Sequence, residues 1–349
     1  MKTLLARRRL ISTIFATALL LPLYALDAQV ASRTGDEHAE PASRRIEVEP
    51  GVKLEVLDWG GKGKPVLLIP GLGATAHSFD GFAPELAKQF HVYSLTRRGY
   101  GASSVPAPTS DNYSAQRLGE DVVAVIEALK IQRPILIGHS FAGEELSWVG
   151  SMEPAKIAGL VYLDAGYRYA LSGPGLNDLQ IDALTMRRYL ADAMNHVDPV
   201  RAKQAADTFL QELPDFQQEL QKYSNALGKA PSPTSAEIAK EEAERRTPQG
   251  AAEQAILNGE RRFSDIKCPM LVIFAYPHRL SDSVQGDART KREKADMQFV
   301  DQRVALFRAL PNSKVVLLPH AAHAVQDSNR DEVVAQILEF ADSLHVTSH

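Results

Sequence analysis

Residues Arg133 to Gly143 read RPILIGHSFAG. After Pro134, the run Ile135, Leu136 and Ile137 is too short for a helix and apolar enough for a strand buried on both faces. Gly138-His139-Ser140 then turns into Phe141-Ala142-Gly143-Glu144-Glu145-Leu146, the first turns of a helix. A serine on so tight a strand-to-helix turn projects its hydroxyl beyond the sheet. The backbone approaches its neighbours closely there, so small residues flank the serine: Gly138 two before it, Ala142 two after. The helix N-terminus adds N–H donors and positive dipole beside the hydroxyl, which suits a developing negative charge. Glu144 and Glu145, in the first turn, suit the same dipole.

Working outward, strand and helix patterns alternate on both sides. Upstream, Ile46 to Glu49 and Leu54 to Trp59 alternate apolar and polar residues around Pro50-Gly51, a hairpin signature. Pro65 to Pro70 (PVLLIP) is a short buried strand, followed by the turn Gly71-Leu72-Gly73 and a helix over Ala76 to Phe90. His91 to Leu95 is a third strand, and Leu118 to Leu129 an amphipathic helix with Val122, Val125, Ile126 and Leu129 on one face. Downstream, Ile157 to Asp164 (IAGLVYLD) is a buried strand ending in a carboxylate. Strands return at Pro269 to Ala275 and Val315 to Leu318, before a final helix near Glu332 to Leu344. Between them, Tyr167 to Arg262 is rich in Ala, Leu, Gln and Glu, holds no strand pattern, and carries a breaker stretch at Gly228 to Ser235. It reads as a helical insertion, with Ala239 to Arg246 a solvated charged face.

The turn at Ser140 resembles the nucleophile elbow of the α/β-hydrolase superfamily, G-x-S-x-G, with Ala142 in place of the second glycine. The resemblance runs from about Ile46 to the C-terminus and is weakest through the insertion. It implies an α/β fold, an eight-stranded, mostly parallel sheet with helices on both faces, over residues 46–166 and 263–349. Residues 167–262 then form a helical cap. It implies an oxyanion hole from the backbone N–H groups of Leu72 and Phe141. Arg97-Arg98-Gly99-Tyr100-Gly101-Ala102-Ser103-Ser104 resembles the family's D-x-x-G-x-G-x-S segment, with Thr96 or Arg97 in place of its aspartate. We take that segment as structural.

A serine needs a base, and the base a carboxylate to orient it. In the resembled family the order is Ser, acid, His. His323, in His320-Ala321-Ala322-His323 after the last strand, fits the base; His320 reads as a loop residue. The usual acid position, after the strand Pro269 to Ala275, holds His278, which lacks a carboxylate's fixed charge. Some members carry the acid one strand earlier, where Asp164 stands. Asp164 is therefore the expected acid and Asp282 the alternative, with His278 lining a pocket or bonding within its loop. The resemblance thus implies a serine hydrolase of small-molecule carboxylic esters, with no metal or organic cofactor. A serine nucleophile argues against the haloalkane dehalogenase and epoxide hydrolase chemistry that similar enzymes perform with aspartate. An aminopeptidase or lactonase with the same triad is one alternative; a non-catalytic binding protein on the same fold is another.

Composition sets the frame. The 349 residues are 44% hydrophobic, with a formal net charge of −4 and charges of both signs mixed along the chain. No basic stripe suggests nucleic acid. The single cysteine, Cys268, precedes an apolar run and reads as a buried structural thiol. Lys2 and Arg7 to Arg9 precede an apolar run from Leu10 to Leu26, with small residues after it, which is the pattern of a secretory signal peptide over residues 1–28. An uncleaved membrane anchor is the alternative, and the arginine cluster faintly resembles a twin-arginine signal. Residues 29–45 read as a polar linker. The expected setting is thus exported, periplasmic or secreted. His77 reads as a surface or capping residue.

Overall fold

The computed structural model describes residues 40–173, 178–228, 232–278 and 287–346. The expected signal peptide, most of the linker and Asp282 lie outside the described residues. Eight strands form one sheet in the order β1-β2-β4-β3-β5-β6-β7-β8. They are β1 Ala42–Glu49, β2 Val52–Gly60, β3 Pro65–Ile69, β4 His91–Leu95, β5 Ile135–His139, β6 Gly159–Leu163, β7 Met270–Tyr276 and β8 Ser313–Pro319. β1 and β2 pair antiparallel, as do β2 and β4, and the remaining pairs are parallel. The chain therefore has the α/β fold that the resemblance implied.

Alternation along the strands explains the two layers of core. Leu67, Leu136, Leu160, Tyr162, Val272 and Phe274 face one side of the sheet. Val66, Leu68, Ile135, Ile137, Val161 and Ile273 face the other. Successive strand side chains point to opposite faces, so a strand covered on both sides reads as an unbroken apolar run. The helices of this body that run five residues or more are α1 Ala83–Ala87, α2 Ala115–Leu129, α3 Gly143–Met152, then further along the chain α8 Asp287–Arg308 and α9 Arg330–Val346. Helices α2, α3 and α8 cover the first face with Val122, Val125, Leu146, Val149, Val304 and Phe307. Helices α1 and α9 cover the second with Ala83, Leu86, Val333, Ile337 and Phe340. Cys268 is buried and unpaired.

Contacts divide the chain into two compact units, one on Leu179–Ala251, the other on Ala39–Asp178 with Ala252–His349. The helical unit is narrower than the periodicity over 167–262 gives, because Tyr167, Ala170 and Leu171 belong to the sheet's core. Its helices are α4 Leu179–Asn195, α5 Pro199–Leu227 and α6 Ser235–Arg245, followed by α7 Pro248–Leu257 at its boundary. Asp198 caps α5 through the Val200 N–H, with Pro199 in the first turn, and Thr234 with Glu237 forms a capping box on α6. Two more elements differ from expectation. The single helix over Ala76 to Phe90 is a short 3₁₀ turn, Ala76–Phe79, then α1. Gly81 weakens the helix between them, and Pro84, lacking an N–H, is accommodated at a helix start but not in mid-helix. The first strand begins at Ala42, not Ile46, its exposed residues held by register to Glu55–Asp58 rather than by burial. Among the described residues no helix is long and apolar enough to cross a membrane.

Candidate active site

Parallel strands β3, β5, β6, β7 and β8 are neighbours, and their carboxyl ends lie along one edge, where sites form in open α/β sheets. The loops after these five strands carry Gly71–Gly73, Ser140, Asp164, His278 and His323 in sheet order. Ser140 follows β5 with φ of 53°, a left-handed conformation unusual for a residue with a side chain. Tight packing holds it there. A Cβ on Gly138 would fall 2.9 Å from both Ala142 and Leu146, so the turn admits only glycine at that point. Across the edge, a Cβ on Gly71 would fall 3.2 Å from the Ser140 Cβ.

The structure brings Ser140, His323 and Asp164 into one hydrogen-bonded chain. His323 Nε2 lies 2.9 Å from Ser140 Oγ, and His323 Nδ1 lies 2.7 Å from Asp164 Oδ2. The partners fix the tautomer: Nδ1–H donates to the carboxylate, leaving Nε2 to accept from the serine hydroxyl. His139 Nε2–H donates to the His323 carbonyl oxygen at 3.2 Å, steadying the loop that carries the ring. Burial, with the neighbouring His323, pushes His139 down to about 3, so it remains neutral.

Asp164 is 0% exposed and accepts four hydrogen bonds. Tyr167 Oη donates to Oδ1 at 2.6 Å and the Ala275 N–H at 3.1 Å. His278 Nδ1 shares Oδ2 with His323, also at 2.7 Å. Burial raises a carboxylate's pKa, but here the charge and hydrogen bond of His278, with those of His323, outweigh it and hold Asp164 well below the usual range. Burial and the Asp164 charge push the Tyr167 hydroxyl upward, keeping it a donor. Asp164, His278 and His323 are also metal-ligand residue types, their donor atoms all within 4.8 Å of one another. The 2.7 Å separations are those of shared protons. Two donors on one tetrahedral ion stand about 3.3 Å apart.

The remaining candidates fall as follows. Leu72 is buried in the loop after β3, and Phe141 follows Ser140 in the turn. His320 is exposed in its loop. His77 is exposed and pairs with Asp80. Glu144 and Glu145 do stand in the first turn of α3, yet both are buried with specific partners. Glu145 pairs with Arg97, and Glu144 accepts the Arg261 N–H. Burial and the adjacent Glu260 carboxyl push Glu144 well up, so it holds its proton to higher pH. Sequence reasoning missed the Tyr167 hydrogen bond and the pairing of Arg97 with Glu145. The one signal for Arg97 was its place in a segment where the resembled motif carries an aspartate at Thr96 or Arg97.

Comparison with known proteins agrees on fold and varies in chemistry. Fluoroacetate dehalogenase of Burkholderia sp is 33% identical over 107 residues, which is 30% of this chain and 35% of that protein. N-formylmaleamate deformylase of Pseudomonas putida is 30% identical over 125 residues, 36% of this chain and 44% of that one. The chain therefore covers less than half the length of either relative. Among solved structures, an epoxide hydrolase from Vigna radiata matches 88% of this chain and 100% of its own, with a TM-score of 0.54 and 20% identity, a likeness of fold. The model of the alpha/beta hydrolase family matches residues 66–336, well over half of the sequence, and the chain belongs to that family.

Proposed function

We propose that the protein is a serine hydrolase that cleaves carboxylic esters of small molecules through an acyl-enzyme. The observation that carries this reading is the 2.9 Å contact between Ser140 Oγ and His323 Nε2, with Asp164 on the far side of the imidazole. Ser140 Oγ attacks the ester carbonyl carbon while His323 Nε2 takes its proton. Asp164 keeps the ring in the productive tautomer and stabilises the imidazolium. The tetrahedral oxyanion is held by the N–H groups of Leu72 and Phe141, each worth about 3 kcal/mol at such a site. Collapse expels the alkoxide, which takes the proton from His323. Water, deprotonated by the same imidazole, then releases the acid and regenerates the serine. Dehalogenation and epoxide opening by an aspartate nucleophile are disfavoured because the elbow carries a serine. The basic and then apolar N-terminal residues support an exported setting, which cell fractionation and N-terminal sequencing of the mature protein check.

The test is turnover of a p-nitrophenyl ester chain-length series by wild type and Ser140→Ala, with a fluorophosphonate probe as active-site label. Ser140-dependent turnover and labelling are expected. A wild type that neither turns over an ester nor takes the label is a binding protein on this fold. Ser140-dependent labelling with preferential cleavage of lactones or aminoacyl amides moves the substrate class.

A further inference from the structure

Arg97 follows β4, inside the body of the molecule, and only 2% of it is exposed. A buried guanidinium is stable only when its donors are used. Its Nη2 donates to the Pro70 carbonyl oxygen at 2.9 Å and its Nη1 to the Gly71 carbonyl oxygen at 3.1 Å. Its Nε donates to Glu145 Oε1 at 2.5 Å. One side chain thus ties the loop after β3 to the first turn of α3, the helix that Ser140 and Phe141 lead into.

We propose that Arg97 is a positioning residue for the oxyanion site, holding the Gly71–Leu72 peptide so that its N–H faces the reacting carbonyl. The inference rests on the serine-hydrolase reading above. Gly71 C=O and Leu72 N–H belong to one planar, trans peptide group, so they point in opposite directions. A cation fixed on the oxygen sets where the N–H points. It also polarises the peptide and strengthens that N–H as a donor, since hydrogen bonds through one group reinforce each other. The Gly71 oxygen also accepts from Ala74 N–H at 3.3 Å, which closes the turn but carries no charge. The Leu72 N–H donates to no group among the described residues, and the Gly71 backbone abuts Ser140. The planar fork is what allows both carbonyls and the carboxylate to be engaged together; a lysine offers one point charge.

Glu145 must accompany any removal of Arg97, so that no buried charge is left unpaired. The Arg97→Gln/Glu145→Gln variant is expected to lose about ten- to a hundredfold in kcat, less than complete loss of an oxyanion donor. KM should stay within about twofold of wild type. Affinity for a trifluoromethyl ketone, which forms the tetrahedral adduct, should fall by the same factor as kcat/KM. Arg97→Lys, which preserves the charge but not the fork, should show the same split at smaller size. A purely structural arginine would lower melting temperature and leave the tetrahedral adduct's affinity unchanged. Ser140-dependent turnover in which either folded variant keeps kcat and ketone affinity within twofold of wild type overturns this inference alone. Absence of Ser140-dependent turnover in wild type overturns it together with the reading it rests on.

Discussion

The ends of β6 and β7 lie side by side, Leu163 registered with Ile273, and each sends one polar group into the same cluster. Beyond β6 stands Asp164; beyond β7 stands His278, 6% exposed. The two loops supply opposite things. Asp164 brings the negative charge and two acceptor oxygens, and His278 brings a single donor aimed at one of them. The contrast places the carboxylate beside His323 at the end of β6, and a hydrogen-bond partner for that carboxylate at the end of β7. Four donors from Tyr167, the Ala275 N–H, His278 and His323 then satisfy a charge that burial alone would neutralise.

Breaking the comparison starts with the acid. Asp164→Asn should reduce kcat about 10³–10⁴-fold, because the amide favours the wrong imidazole tautomer. Asp282→Asn should leave turnover near wild type; the reverse pattern, read by steady-state ester hydrolysis, would transfer the role to Asp282. His278→Asn, which removes one donor from Asp164 Oδ2, should cost about tenfold or less. A sharper test moves the carboxylate across. In Asp164→Asn/His278→Asp, the acid occupies the loop after β7, and about ten- to a hundredfold of the lost kcat should return. No recovery in a folded double variant would mean that the β6 strand-end geometry, with its φ of 45° at Asp164, is itself required.

That geometry marks the limit of what the sequence discloses. Ser140, Asp164 and His323 are legible because each ends or follows a short apolar strand, and a buried strand is the strongest pattern this chain carries. The sheet is legible for the same reason. The helices are less so, since a short pattern leaves their ends to local chemistry. Gly81 and Pro84 divided one expected helix, and α8 carries a weak pattern because its buried apolar stripe, among the described residues, is Val300, Val304 and Phe307. Glu144 and Glu145 show a deeper limit. Position in a first turn predicts dipole stabilisation, whereas their actual partners, Arg261 and Arg97, lie far away in sequence. A side chain's hydrogen-bond partner is set by tertiary placement, which periodicity does not encode. In the helical unit, every residue of α5 and α6 remains at least partly exposed.

Smaller effects separate the two oxygens of Asp164. Tyr167→Phe removes the 2.6 Å donor from Oδ1 and leaves Oδ2 and both histidines untouched. It should cost about 1–3 kcal/mol in urea unfolding and only a few-fold in kcat. A loss in kcat as large as that of Asp164→Asn would place Tyr167 in the reaction itself.

Titration measures the same carboxylate without reference to turnover. Its pKa is lower folded than unfolded, so its contribution to stability is present above the unfolded value, about 3.9, and is lost as pH falls below it. In that range the unfolded chain binds a proton that the folded chain refuses, and stability must fall with pH. His139 acts over a different window. Burial pushes it down to about 3 from about 6.5 unfolded, so it lowers stability progressively from pH 6.5 toward 3. The Asp164 contribution is therefore the difference between wild type and Asp164→Asn, measured by urea unfolding from pH 6 to 3. That difference should be flat above about pH 5 and shrink by roughly 1 kcal/mol or more below pH 4. His278→Asn should weaken the shrinkage by removing one of the two imidazoles that hold the charge. A difference that stays constant through pH 3 would mean that His278 and His323 do not stabilise the carboxylate, and the pairing that sets β6 apart from β7 would lose its electrostatic basis.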